Sequence, residues 1–234
     1  THPRKLLLAK DGYRVNAIFK DIDETNDRLL FTLAGKERSI FRFRDWHVYD
    51  IAAYQLDRLL GLDRVPPIIS RTIRRRRGSV QIWLEEVISR TKMRDDAIEA
   101  PDIARWNQQK SILHIFGSLV ANIDSNTGNA LIDGNWRMWF IDCSRCFGET
   151  KTLYYPLENI SQCERGMWAG LKNLNEADVK ERLAPFLSKA EIKALMVRRD
   201  KIVRHFEKLI AERGEAAVIY DVAPPTVTAP WGDN

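Results

Sequence analysis

Three oxygen-bearing side chains near the middle of the chain have types and spacing that could do chemistry together: Asp124, Asn129 and Asp142. Asp124 lies in a polar loop, Asn122 to Asn129, that follows the apolar run Ile103 to Val120. Asn129 comes five residues after it. Asp142 ends the apolar run Trp139-Phe140-Ile141 and precedes Cys143, Ser144, Arg145 and Cys146. One carboxylate that accepts or orients a hydroxyl proton, beside an amide and a second carboxylate, suits phosphoryl transfer. That reaction asks for positioning and charge compensation more than for covalent help. Asn129 and Asp142 offer hard oxygen ligands of the kind Mg²⁺ or Mn²⁺ favours, and such ions neutralise phosphate charge. The bland alternative is a polar loop capped by Asn and Gly with a strand that happens to end in Asp. An Asp-to-Asn spacing alone does not separate the two; the apolar helix before it and the strand after it favour chemistry.

Those residues need elements to hold them. Residues Val15 to Lys20 are rich in β-formers and predict a strand. Leu29 to Leu33 and Ser39 to Phe43 predict a hairpin turning at Ala34-Gly35-Lys36. Val48, Ile51, Ala52, Tyr54, Leu56, Leu59 and Leu60 recur at helical spacing. Asp45 suits the N-cap of that helix and Gly61 its stop. After Pro66 and Pro67, strands are expected over Ile68 to Ile73 and Val80 to Val87, with Arg74 to Gly78 an exposed turn. Arg90 to Pro101 reads as a polar connector. Ile103 to Val120 is expected to be a helix and His114 a satisfied core residue within it. A short hairpin follows, Ala130 to Ile132 and Arg137 to Ile141, flanked by Trp136 and Trp139 as packing groups. Leu157 to Arg213 is helical in pattern, with a charged helix near Glu191 to Glu212, and the tail from Pro224 is extended. Strands with one helix, then mostly helices, make an α+β chain of two lobes, with an antiparallel-sheet first lobe over 1–88 and a mainly helical second lobe over 89–234.

The segment Asn122-Ile123-Asp124 with Asn129, followed by Phe140-Ile141-Asp142, resembles the catalytic loop of atypical kinases. These are the phosphatidylinositol kinases, the HipA-like serine/threonine kinases and the secretory-pathway casein kinase/four-jointed group. A second match is more specific: Asp50-Ile51-Ala52-Ala53-Tyr54-Gln55-Leu56-Asp57-Arg58, running on to Val65-Pro66-Pro67, closely resembles the last of these groups. The likeness spans roughly residues 15 to 148. It implies a kinase-like fold that uses ATP and a divalent metal, with Asp124 catalytic and Asn129 and Asp142 on the metal. It implies that Lys20 contacts nucleotide phosphates and is held by Asp50, where the group usually has Glu. Being one methylene shorter, Asp50 is expected to reach Lys20 at longer range or through water. Glu85, Glu86 and Val87 fall where an inter-lobe hinge would hold the adenine edge. Ser125 and Asn126 replace the usual Arg-His, and the turn Lys10-Asp11-Gly12 is a glycine-poor candidate phosphate loop.

The bulk numbers agree with this and exclude little. The 234 residues carry a formal charge of +5, which suits an acidic ligand such as a nucleotide, polyphosphate or nucleic acid. No run is long and apolar enough for a membrane span. Three cysteines are too few for a disulfide framework and favour free thiols in a reducing compartment, so a cytoplasmic location is the expectation. Cys143 and Cys146 resemble half a zinc site with no second pair to complete it. Arg145 is open to two readings, a phosphate ligand or the partner of a nearby acid. The arginine run Arg74 to Arg77 reads as a solvated turn, and sparse aromatics around it make nucleic acid a weaker partner. The functional expectation is a kinase acting on a hydroxyl of a protein, sugar or small molecule. A nucleotide-binding regulator without turnover is the alternative, and the acceptor is not legible.

Overall fold

The computed structural model describes residues 3–33, 35–124, 126–225 and 227–231, so Ala34 and Ser125 lie outside the described residues. The first part of the chain gives β1 (Arg4–Lys10), β2 (Tyr13–Lys20), β3 (Asp23–Leu33), β4 (Lys36–Trp46), α1 (His47–Leu60), β5 (Ile68–Ile73) and β6 (Arg76–Ile82). The second part gives β7 (Val87–Ser89), α2 (Arg90–Asp95), α3 (Ile103–Leu119), β8 (Ala130–Asp133) and β9 (Met138–Phe140). It continues with β10 (Cys163–Glu164), α4 (Arg165–Asn173), α5 (Glu176–Leu183), α6 (Lys189–Arg213), α7 (Glu215–Val218) and β11 (Ile219–Tyr220). This is the expected α+β plan. An antiparallel sheet of order β1-β2-β6-β5 and a separate β3–β4 hairpin form the first lobe around α1. The second lobe is mainly helical around a small β7-β8-β9 sheet.

Several local expectations need correction. β1 was not legible, because Arg4 to Lys10 lacks alternation and is held only by pairing with β2. The arginine turn is tighter than expected: only Arg74 and Arg75 turn, both with φ in the left-handed region (49° and 64°), and β6 starts at Arg76. Two consecutive left-handed residues match the twist of a tight hairpin. The expected strand Val80 to Val87 is two strands, since the chain leaves the first sheet at Ile82 and joins another at Val87. The polar connector contains α2, capped by the Ser89 side chain accepting the Lys92 N–H at 3.0 Å. Helix starts at Arg165 rather than Leu157. Asp45 does not cap α1; Trp46 is the N-cap residue and contributes no side-chain hydrogen bond. Gly61 does end α1, with φ 67° and its N–H on Arg58 O at 3.2 Å. His114 is exposed rather than in the core and stacks on Tyr155, ring centroids 6.0 Å apart.

Helix α1 ties the two lobes together. Its apolar stripe, including Ile51, Ala52, Leu56 and Leu60, lies in the same core as Phe116, Leu119, Leu171 and Leu195 of the second lobe. Full burial of each Leu contributes about 2 kcal/mol. The Tyr49 hydroxyl donates to Glu191 on α6. Asp57 is fully buried and accepts from the Arg64 N–H at 2.9 Å and from Arg58 at 2.6 Å. It thereby staples the turn that leads into Val65-Pro66-Pro67, a structural reason for that sequence pattern. At the α1–α4 crossing, Gly170 lets two backbones meet: a Cβ there would lie 2.5 Å from Leu60 O.

Ala for Gly inside a helix ordinarily stabilises by about 1 kcal/mol. At Gly170 the sign is expected to reverse, because the neighbour is rigid backbone and overpacking costs about 1–3 kcal/mol. Gly170→Ala is therefore expected to lower the melting temperature by several degrees. A rise would show that α1 does not pack on α4 in this way.

Candidate active site

The site forms where β2, α1, the α3–β8 loop and the segment after β9 converge. β2 ends in Lys20, whose ammonium lies 2.7 Å from Asp142 Oδ1 and 3.3 Å from Asp50 Oδ2. The Lys20–Asp50 pair is direct, with no bridging water needed, and at 3.3 Å is the longer of the two contacts, as the shorter Asp side chain leads one to expect. Asp50 is almost wholly buried, and its other oxygen accepts the Cys143 N–H at 2.7 Å. One carboxylate thus holds both the lysine and the backbone just past Asp142. Burial by itself would lower the Lys20 pKa, but the Asp50 and Asp142 carboxylates outweigh it and hold it above its ordinary value. Burial pushes the Asp50 carboxyl up, opposed by Lys20 and the Cys143 N–H. Lys20 is therefore a permanent cation between two acids.

The backbone around Asp142 is strained in a purposeful place. Asp142 has φ 59°, a left-handed conformation tolerated by Asp better than by most residues. The segment after it is fastened at both ends: Trp46 N–H donates to Ser144 O at 2.8 Å, and Phe147 N–H to Val120 O at 2.6 Å. Ser144 Oγ donates to Asp142 Oδ1 at 3.3 Å. Arg145, open in the sequence, pairs with an acid: its Nε is 2.6 Å from Asp45 Oδ2. That ion pair explains why Asp45 is not a helix cap.

The α3–β8 loop is ordered by its own side chains. Asn122 Oδ1 accepts the Asp124 N–H at 2.9 Å, Asp124 Oδ1 accepts the Asn126 N–H at 2.9 Å, and Asn126 Oδ1 accepts the Gly128 N–H at 2.8 Å. Three successive Asx turns set the loop's path. Asn126 is thus a scaffold residue where the resembled kinases carry a different one. Asn129 ends the ladder, and its carbonyl accepts the Ile141 N–H at 3.0 Å, which brings it beside the strand that presents Asp142. Its side chain is buried, and among the described residues its Nδ2 has no hydrogen-bond partner.

Two adjoining cavities meet at Asp124 and Asn126. The first, about 330 Å³, is lined by Lys20, Asp124 and Asp142, together with Asp21, Asp45 and Arg145. Three of its carboxylates are already paired, Asp21 with Arg4 and Arg76, Asp45 with Arg145 and Asp142 with Lys20. The second, about 250 Å³, holds Asn129, Arg90 and the His114–Tyr155 stack. Lys20 is in direct contact with Asp50 and Asp142, Asp124 lines the first cavity with Lys20 and Asp142, and Asn129 lines only the second cavity, which also reaches Asp124. Glu85, Glu86 and Val87 line neither cavity. They do form the crossing between the lobes: Glu85 accepts from Asn16 at 2.8 Å, and Val87 pairs with Asp133. The Lys10-Asp11-Gly12 turn sits at the far end of β2 from Lys20, seven strand steps or about 23 Å away. It cannot serve as a phosphate loop at this site. Sequence reasoning missed Asp21 and Asp45. Asp21 directly follows Lys20, which was the available signal.

The donor set suits a hard ion. Asp142 offers a carboxylate and Asn129 an amide oxygen, while the Asn129 Nδ2, unpartnered among the described residues, is a hydrogen-bond donor and not a ligand. One carboxylate and one amide are fewer than a full cage, which suits coordination completed by substrate phosphates and water on Mg²⁺ or Mn²⁺. The three cysteines are free and buried. Among the described residues no helix is long and apolar enough to cross a membrane.

No family model and no curated protein matches the chain. Solved structures do. Hydra Fam20 with sugar aligns over 94% of this chain and 85% of its own, with TM-score 0.68 at 18% identity. The Golgi casein kinase aligns over 91% and 72%, with TM-score 0.60 at 16% identity. The same kinase with Mn/ADP bound aligns over 95% and 74%, with TM-score 0.58 at 17% identity. At such identity the likeness establishes the fold.

Lys20→Met would leave Asp50 buried without its cation and is expected to cost about 3 kcal/mol at neutral pH. Its carboxyl would then rise further above its unfolded value. A carboxyl raised by folding takes up a proton as pH falls, so the penalty shrinks through that range. The melting-temperature gap between variant and parent should narrow from about pH 8 to about pH 5. A gap constant with pH would contradict the charge role assigned to Lys20.

Proposed function

Starting from a Fam20-like atypical kinase fold, we propose that this chain is an ATP- and divalent-metal-dependent phosphotransferase acting on a hydroxyl group. The observation that carries the reading is the convergence of Lys20, Asp50 and Asp142, contiguous through one cavity with Asp124. A likeness of fold does not fix function, so the residues themselves carry the weight.

In this reading Asp142 and Asn129 hold the divalent ion, which when bound neutralises phosphate charge. Lys20, kept charged by its two acids, meets the nucleotide phosphates. Asp50 holds Lys20 in place and, through the Cys143 N–H, fixes the backbone that presents Asp142. Asp124 keeps one oxygen bound to the Asn126 N–H and the other free to accept or orient the acceptor's hydroxyl proton. The hinge role of Glu85 to Val87 toward the adenine edge remains part of the proposal through their place between the lobes. Mn and ADP bound in one structural neighbour suit the same choice of nucleotide and ion. The acceptor is a hydroxyl of a protein, sugar or small molecule, and the free cysteines suit a cytoplasmic, reducing setting. A second reading, nucleotide binding without turnover, is favoured by one observation: Asn126 organises the loop instead of supplying a charged or imidazole side chain beside Asp124.

ATP with Mn²⁺ or Mg²⁺ at a hundred times its dissociation constant should add about 2.7 kcal/mol of stability, a rise of roughly 5–10 °C in melting temperature. Asp142→Ala should abolish that rise. Asp124→Ala should keep it while lowering ATP turnover by about 10²–10⁴-fold. Metal-dependent stabilisation with no turnover in the parent chain selects the second reading. No stabilisation by nucleotide under either ion contradicts both.

A further inference from the structure

The four-stranded sheet has two faces, fixed by its register. The inner face carries Lys20 and packs α1 against β5 and β6. On the outer face β2 presents Tyr13, Val15, Ala17 and Phe19, opposite Lys10, Leu8, Leu6 and Arg4 of β1. β6 sets Ile82 beside Ala17 and Val80 beside Phe19. β5 adds Ile69, Arg71 and Ile73, opposite Val80, Gly78 and Arg76. None of these residues is acidic, and Arg4, Lys10, Arg71 and Arg76 are cationic.

The middle of this face, Ala17, Phe19 and Val80, is buried under its own neighbours, and the apolar residues around it are open to solvent. Ala17, Phe19 and Val80 form a small cluster with Leu6 and Ile73, confined to the sheet's own residues and separate from the main core. Around it Tyr13 is 80% exposed, Ile69 43%, Val15 40% and Leu8 39%. Cations lie toward both ends: Lys10 beside Tyr13 at one, Arg4, Arg71 and Arg76 at the other. The nearby acids are Asp21, which Arg4 and Arg76 bind at the edge, and Asp11 in the β1–β2 turn. Arg74 and Arg75 extend the positive charge at the hairpin tip.

We propose that this face docks the protein on an anionic lipid surface. The exposed apolar residues Tyr13, Val15, Leu8, Ile69 and Ile82, with cations at either end, are complementary to the headgroup boundary of such a bilayer. There apolar side chains enter, long cationic ones reach phosphates, and a tyrosine sits at the interface. Docking through the outer face leaves the cleft at Lys20, on the opposite side of the sheet, uncovered by the bilayer, so the acceptor need not be a lipid. The proposal stands apart from the kinase reading, since it uses none of the site residues.

Cosedimentation of the full chain with vesicles of about one part phosphatidylserine to two parts phosphatidylcholine, against phosphatidylcholine alone, tests it. The anionic vesicles should bind at least about tenfold more tightly, and the preference should fall steeply with added salt. Lys10→Ser with Arg71→Ser should weaken binding roughly twenty-five-fold, at about fivefold per cation. Leu8→Ser with Tyr13→Ser should weaken it about tenfold through lost apolar contact, with the melting temperature unchanged in both variants. Should either variant fail to fold, the salt titration of the parent chain still decides. Equal binding to neutral vesicles, or anionic binding unmoved by both double variants, overturns the proposal. So does a parent-chain dimer that Leu8→Ser with Tyr13→Ser dissociates, which gives the face to a second copy. Binding to soluble polyglutamate but not to vesicles overturns it in favour of an acidic protein.

Discussion

One ammonium group held between two carboxylates governs how this molecule is put together. Lys20 ends a strand of the first lobe, Asp50 sits on the helix that joins the lobes, and Asp142 follows a strand of the second lobe. Burying either acid alone is costly, and burying the lysine alone would drive off its proton. Together they are compatible with a half-dry cleft, and only when all the elements are in register. Asp50 adds a further constraint by accepting the Cys143 N–H, so the carboxylate that fixes the lysine also fixes the backbone beside Asp142.

Around that centre the loops are held by local hydrogen bonds more than by packing. The Asn122–Asp124–Asn126 ladder sets the catalytic-loop path within a few residues. The segment after Asp142 depends on distant partners instead, and Arg198 is the main one. Its wholly buried guanidinium donates to Leu119 O at 2.8 Å and to Gly148 O at 3.2 Å. Burial lowers its pKa to about 10, which still leaves it charged at neutral pH. The end of α3 and the chain beyond the site loop are thereby joined to α6. A left-handed Asp142 persists because its surroundings on both sides are fixed.

Much of this was legible in the sequence, and the failures have physical reasons. The α1 pattern through Leu60 and the stop at Gly61 follow from helical periodicity and from glycine's access to positive φ. The pairing of Lys20 with Asp50 followed from a resemblance, which periodicity could not have supplied. Asp45 read as a cap because its type and place suited one, but a long-range partner, Arg145, made the stronger bond. β1 was invisible because its stability comes from pairing with β2 and not from its own residues. His114 has core spacing, yet it lines a cavity and stacks on Tyr155, a contact made across tertiary structure. The contribution of Asp21 to the cleft had one signal in the sequence, its place directly after Lys20, but its sharing of a cavity with Asp124 is set only by folding.

The two faces of one sheet divide the molecule's chemistry. On the inner side Lys20 meets the acids Asp50 of α1 and Asp142 after β9, and on the outer side Arg4, Lys10, Arg71 and Arg76 flank a partly exposed apolar strip. The central claim concerns the inner face, and crystals grown with ADP and Mn²⁺ test it most directly. Anomalous manganese density bounded by Asp142 and Asn129, with Lys20 still held by Asp50, is the predicted result. Manganese bound elsewhere on the chain, with Asp142 still closed on Lys20, would contradict it.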